Sequence, residues 1–226
     1  MNGVATMRQL STGFSNRVRL FGLSSAALAV VMTASLASPA FGQAPPDADD
    51  AAHGVARISV MDGQVSVRRG DAGEWVAGVI NAPLMADDTI ATAPNSRGEI
   101  EFDANNMLRI GGNAEVHLTA LEAGRYQMEL AKGTVTFRVL RPSNLNIEVD
   151  TPSVSVRPSK AGVYRINVSD AGETQVVVRA GDVEVFTPKG SQWVNAGQMM
   201  LARGSASDPE FQVVNAIPMD GSINRI

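Results

Sequence analysis

From Ala56 to about Arg203 the chain alternates apolar and polar residues in short runs, among them QVSVR, EIEF, MLRI, EVHL, TVTFRV, SVSVR, VYRINV and DVEVF. An apolar residue at every second position makes a strand with one buried face. Between the runs lie DG, RGDAG, PNS, DANN, GGN, EAG, KG, SDAG, AGD and NAG. There Gly, Asn and Asp supply the positive φ that tight turns require. Strands at this short spacing predict an all-β fold, an antiparallel β-sandwich or β-roll of many short strands. No stretch beyond residue 56 keeps a helical period for three turns. APLMADD reads as a single helical turn leading into a strand, and the tail around Phe211, Val213, Val214 and Ile217 as a last strand or a partner-docking segment.

One phrase recurs. MDGQVSVRRG, AKGTVTFRVL and RAGDVEVFTP each place a glycine before a strand-like run. Alternation puts Val65 and Val67, then Val135, Phe137 and Val139, then Val183 and Val185 on the buried faces. Thr134, Thr136 and Arg138 fall on the opposite face. The glycine marks a tight entry into each strand, where a Cβ would cost strain.

The N-terminus is of another kind. Arg8, Arg17 and Arg19 lie in the first 19 residues with no acid, followed by LFGLSSAALAVVMTASLASPAFGQA. A basic start, an apolar middle and small residues after Pro39 form a secretory signal, which predicts a signal-peptide helix over residues 1–42 and cleavage close to Gly42, with Ala40 and Ala44 as alternative ends. Residues 43–55 read as a flexible leader, 56–203 as the β domain and 204–226 as a tail. The expected product is periplasmic or secreted; retention of the apolar stretch would make it a membrane anchor, although Ser24, Ser25, Thr33, Ser35 and Ser38 dilute it.

Charge then narrows the partners. Beyond residue 44 the chain holds 16 basic residues against 23 acidic ones, a net −7. That balance argues against a nucleic-acid surface. Aromatics make up only 5%, so the core is built from Val, Ile, Leu, Met and Ala. Absence of cysteine excludes disulfides, thiol catalysis and thiolate metal sites.

Candidate chemistry is sparse. His53 belongs to the leader, and His117 takes a polar position between Val116 and Leu118. No nucleophile elbow, phosphate-binding loop or Ser-x-x-Lys pair stands in a helical context; Ser159-Lys160 has the wrong spacing. Asp87-Asp88, and Asp103 with Asn105 and Asn106, lie in turns and offer too few oxygens for a calcium loop. Glu99 and Glu101 share a strand face, as do Asp182 and Glu184. Trp75 and Trp193 are expected in the core of a chain so poor in aromatics; exposed, either would be able to stack on a glycan ring.

The succession of motifs resembles the FecR-like periplasmic domain family over roughly residues 85–187. Leu130, Gly133, Val135, Phe137 and Val139 follow its L-x-x-G-x-V-x-F-x-V run. Thr151, Pro152, Val156, Gly162, Tyr164 and Ile166 follow its T-P…V…G-x-x-F-x-V segment, with Tyr164 where Phe is frequent. Val176, Val178, Gly181, Val183 and Val185 follow its final strand pair. The front part resembles a related exported group that opens with a G-x-V-x-V…W-x-x-A hairpin. Full-length FecR-type regulators join a cytoplasmic sigma-binding region, one membrane span and this periplasmic domain. Nineteen residues before the apolar stretch leave no room for a sigma-binding region, so the resemblance implies the periplasmic module alone.

These observations lead to an expected non-enzymatic module for protein–protein recognition, envelope scaffolding or signalling, without cofactor or metal. Its partner would be an unknown envelope protein. The alternative is an envelope glycan-binding or glycan-modifying protein. The expected recognition edge is DVEVF, that is Asp182, Val183, Glu184, Val185 and Phe186, whose backbone would take a partner strand.

Overall fold

A computed structural model describes residues 54–70, 73–141 and 144–216. The signal segment and most of the leader lie outside these residues. The described strands are β1 (Ala56–Asp62), β2 (Val65–Arg68), β3 (Trp75–Ala77), β4 (Pro83–Leu84), β5 (Thr89–Thr92), β6 (Arg97–Asp103), β7 (Asn106–Ile110), β8 (Glu115–Glu122) and β9 (Arg125–Val139). They continue as β10 (Asn146–Asp150), β11 (Ser155–Pro158), β12 (Gly162–Val168), β13 (Thr174–Ala180), β14 (Asp182–Thr187), β15 (Gly190–Asn195), β16 (Gln198–Arg203) and β17 (Glu210–Asn215). The fold is all-β, as the alternation requires. The expected helical turn at APLMADD is instead the short strand β4 followed by a turn with Asp87 at φ 69°. Pro83 sits there on a sheet edge, where its missing N–H costs no ladder bond.

The strands form two layers that share β9. One layer runs β3-β2-β5-β8-β9-β10-β11-β14-β15, the other β4-β1-β6-β7-β9-β12-β13-β16-β17. All pairs are antiparallel except β9 with β10. Between β1 and β2, β5 and β6, β7 and β8, β11 and β12, β13 and β14, and β15 and β16, the chain passes straight from one layer to the other. Strand β9 makes the same passage without a break. Its first half pairs with β8 and β10, its second half with β7 and β12.

A strand that changes layers must also change which of its faces points inward. In β9 this shows as a shift of parity: Met128 and Leu130 are buried before the passage, and Val135, Phe137 and Val139 after it. Exposed Ala131 and Lys132, then half-buried Gly133 and Thr134, absorb the shift. Gly133 has φ 89°, and a Cβ there would lie 2.4 Å from the Cα of Ala114. Gly63 and Gly181 occupy equivalent corners, with φ 80° and 82°. The recurring glycine is therefore the corner between layers, a stricter role than entry into a strand.

One continuous core fills the space between the layers, from Ile58, Val67 and Ile90 at one end to Val185, Val194 and Met200 at the other. Phe102 and Phe137 meet at the centre, ring centroids 5.9 Å apart. Phe137→Ala is expected to cost about 3–5 kcal/mol through lost transfer energy and the cavity left behind. Thr136→Ala, on the outer face of the same strand, should cost no more than about 0.5 kcal/mol. Urea denaturation of the two variants checks this; equal losses would contradict the register.

Candidate recognition surface

The expected edge is not an edge. Strand β14 is hydrogen-bonded on both sides, to β11 through Arg157↔Glu184 and Val156↔Val185, and to β15 through Glu184↔Trp193 and Val185↔Gln192. Its Val183 and Val185 are fully buried. Local alternation could not reveal this, because β11, the second neighbour, pairs with residues 25 to 31 positions further along the chain (Pro158↔Val183 to Ser155↔Phe186). Among the described strands, β3 and β15 end one layer and β4 and β17 end the other. On β15, Gln192 Nε2 donates to the carbonyl of Trp193 at 3.0 Å, and Gln198 of β16 accepts from the Asn195 N–H at 2.9 Å, so side chains already engage part of that strand's backbone.

The motif residues serve the architecture. Thr151 Oγ1 donates to the Val154 carbonyl at 2.7 Å and receives Thr174 Oγ1 at 3.0 Å. Fully buried Ser153 bonds the carbonyls of Gly172 and Gly204, at 3.1 and 3.0 Å, tying two turns to the TPS segment. Tyr164 reaches to the corner between β11 and β12 and donates to the Lys160 carbonyl at 2.6 Å. A Cβ on Gly181 would come within 2.2 Å of its hydroxyl, and one on Gly162 within 2.7 Å. Tyrosine in place of the frequent phenylalanine is thus a phenol with a dedicated acceptor.

The acids are likewise engaged. Asp103 accepts the N–H groups of Asn105 and Asn106 at 2.7 and 3.0 Å and the Tyr126 hydroxyl at 3.0 Å, closing the β6–β7 turn. Asp88, almost fully buried, pairs with Arg69 and caps the Met85 N–H at 3.0 Å. Glu99 pairs with Arg109, Glu101 with Arg57, both at 2.8 Å, and Lys160 with Asp182 at 2.5 Å. His117 stands on an outer face between Thr89 and Glu129, and its Nε2 is buried without a hydrogen-bond partner. No group of three or more His, Cys, Asp or Glu among the described residues is placed to hold a metal.

The tryptophans depart from expectation. Trp75 is 44% exposed and Trp193 47%, both on terminal strands of one layer. At the rim only one flank of a side chain can be covered, so scarcity of aromatics did not draw them inward. Arg68 lies over the Trp75 ring at 5.2 Å, and Arg157 over Phe186 at 4.3 Å.

Residues 88–184 match the family model described as FecR protein. This segment is a FecR domain. It runs from β5 into β14 and contains the shared strand, the TPS segment and the Tyr164 corner. No curated protein matches the chain. Two crystal structures, each of a protein described as a candidate anti-sigma factor from Parabacteroides distasonis, are similar to it at 15% and 16% identity, with a TM-score of 0.49 in both. Each comparison covers 57% of this chain and 59% of the other. The strands β1 to β4 precede the FecR match yet contribute Ile58, Val65, Val67 and Leu84 to the same core.

The chain has two tyrosines. Burial, then the hydrogen bond and the charge of Asp103, push the Tyr126 phenol from 10.0 up to about 12. Burial raises Tyr164 as well. A raised folded-state pKa gives stability that is complete below pH 10 and lost as the pH climbs towards 12. Ultraviolet titration of the native chain should show no phenolate step near pH 10, whereas the urea-unfolded chain should show both there. Tyr126→Phe should remove part of the alkaline loss of stability. A native step near pH 10 that Tyr126→Phe abolishes would contradict the Asp103 contact.

Proposed function

We propose that this chain is a non-enzymatic module exported to the periplasm, which acts in envelope signalling by binding another protein. The observation that carries this reading is the FecR domain. Its motif residues are consumed by core, corners and turns, so the fold offers its outer faces and terminal strands to partners. The ion pairs and turn bonds of Asp88, Glu99, Glu101 and Asp103 support the same reading, because each carboxylate already has a structural partner. The basic start and apolar stretch of residues 1–42 support export, and the exported chain should begin close to residue 43.

Exposure of Trp193 beside Glu184 favours a second reading, in which the outer face of that layer stacks on an envelope glycan. The two readings separate in one experiment. A photo-crosslinking residue at Ser191 or Gln212, on the terminal strands β15 and β17, should yield a discrete protein adduct in intact cells. Adducts carrying glycan alone would favour the second reading. Hydrolysis of an envelope polymer by the purified chain, abolished by one carboxylate substitution, would overturn the non-enzymatic one.

A further inference from the structure

The outer face of the layer containing β6, β7, β9, β12 and β13 carries an unusual charge pattern. Arg138 on β9, Arg165 on β12 and Arg179 on β13 all take outward positions, since Val139, Tyr164 and Val178 beside them are buried. Arg138 lies opposite Val163, which makes Arg165 its diagonal neighbour. Arg165 lies opposite Val177, and Arg179 follows two positions along β13 as the extra residue of a bulge, where the register passes from Tyr164↔Val178 to Val163↔Ala180, close enough for its charge to act on Arg165. Arg109 continues the line on β7, opposite Thr136 and diagonal to Arg138.

Most basic side chains elsewhere in the fold have an acid. Arg57, Arg69, Arg97, Arg109, Lys132, Arg157, Lys160, Lys189 and Arg203 each form an ion pair. Among the described residues Arg138, Arg165 and Arg179 have neither an ion pair nor a hydrogen bond. They stand together although the chain carries an excess of acids. Burial and then the like charge of Arg179 lower the pKa of Arg165, so the cluster is held against its own repulsion. Half-buried Met107 and Val163 stand directly opposite Arg138, and buried Val177 opposite Arg165. Arginine with methionine over an apolar floor is the composition of a protein interface.

We infer that this face binds an extended acidic segment of a partner protein, through Arg138, Arg165 and Arg179. This rests on the recognition role proposed above and names the partner's chemistry. Diagonal neighbours across a sheet stand about 7–8 Å apart. Alternate residues of an extended segment stand about 6.6 Å apart. Glu or Asp at every second position would thus meet successive arginines, each able to grip a carboxylate with two parallel N–H bonds. The apolar residues between would cover Met107 and Val163.

The test uses the exported chain and two fluorescent synthetic peptides. One alternates Glu with Val; the other replaces each Glu with Gln. The acidic peptide should bind about tenfold or more tightly than the Gln peptide and weaken as salt rises. Arg138→Gln with Arg165→Gln should lower that binding by about tenfold, while the thermal midpoint stays unchanged or rises as repulsion is relieved. Equal binding of both peptides, or none, overturns the inference. Competition by millimolar inorganic phosphate as effective as the acidic peptide also overturns it, in favour of a free-anion site. A fall in thermal midpoint on removing the arginines would show a structural role instead. A protein adduct at Ser191 or Gln212 that survives the arginine substitutions would leave the recognition role standing and remove only this surface.

Discussion

Neighbouring corners of this fold pass so close at Gly63, Gly133 and Gly181 that a Cβ on the glycine would collide with the residue beside it. Gly133 lies against Ala114, Gly63 against Ser96, and Gly181 against the Tyr164 hydroxyl and the Ala161 carbonyl. Each corner is a place where the chain leaves one layer and enters the other. If two adjacent corners moved apart, the strands on both sides would lose register together. Bonds between corners keep them in line: Gln64 N–H to Ser96 Oγ at 2.9 Å and Gly111 N–H to the Thr134 carbonyl at 2.8 Å.

That constraint explains where function has to lie. A motif built from corner glycines and inward valines is spent on holding two layers together, and the same is true of the TPS turn. What remains is the outer surface, and the two layers differ there. One presents Glu115, Glu129, Glu148, Asp150 and Glu184, with Lys132 and Arg157 paired among them. The other presents the line of arginines from β7 to β13. On its β6 side Glu99 and Glu101 are paired with Arg109 and Arg57, which leaves Arg138, Arg165 and Arg179 as the charge open to a partner.

Alternation made the strands and their buried residues legible, because a period of two is a local property. Val135, Phe137 and Val139 are buried as that period requires, and Val65, Val67, Val183 and Val185 with them. Strand order was not legible. DVEVF reads as a possible edge until β11 is seen to cover its second side, a pairing set by the whole topology. The same limit hid the arginine face. Arg138, Arg165 and Arg179 each occupy an ordinary polar position in the sequence, and only the adjacency of β9, β12 and β13 brings them together. Trp75 and Trp193 misled for a different reason: composition favours burial of an aromatic, but position at the rim of a layer limits it.

The corners at Gly133 and Gly181 are closed to side chains, and alanine at matched glycines tests that directly. Gly133, Gly181, Gly124 and Gly197 have φ of 89°, 82°, 95° and 81°. A Cβ at the first two would collide within 2.4 Å or less, whereas at the last two it would meet nothing within 4 Å. Gly124→Ala and Gly197→Ala should each lose about 1–2 kcal/mol, the left-handed strain alone. Gly133→Ala and Gly181→Ala should lose about 3–5 kcal/mol, because overpacking adds to that strain. Four equal losses by urea denaturation would contradict the account, showing that the glycines serve backbone angle and not the close passage of neighbouring corners.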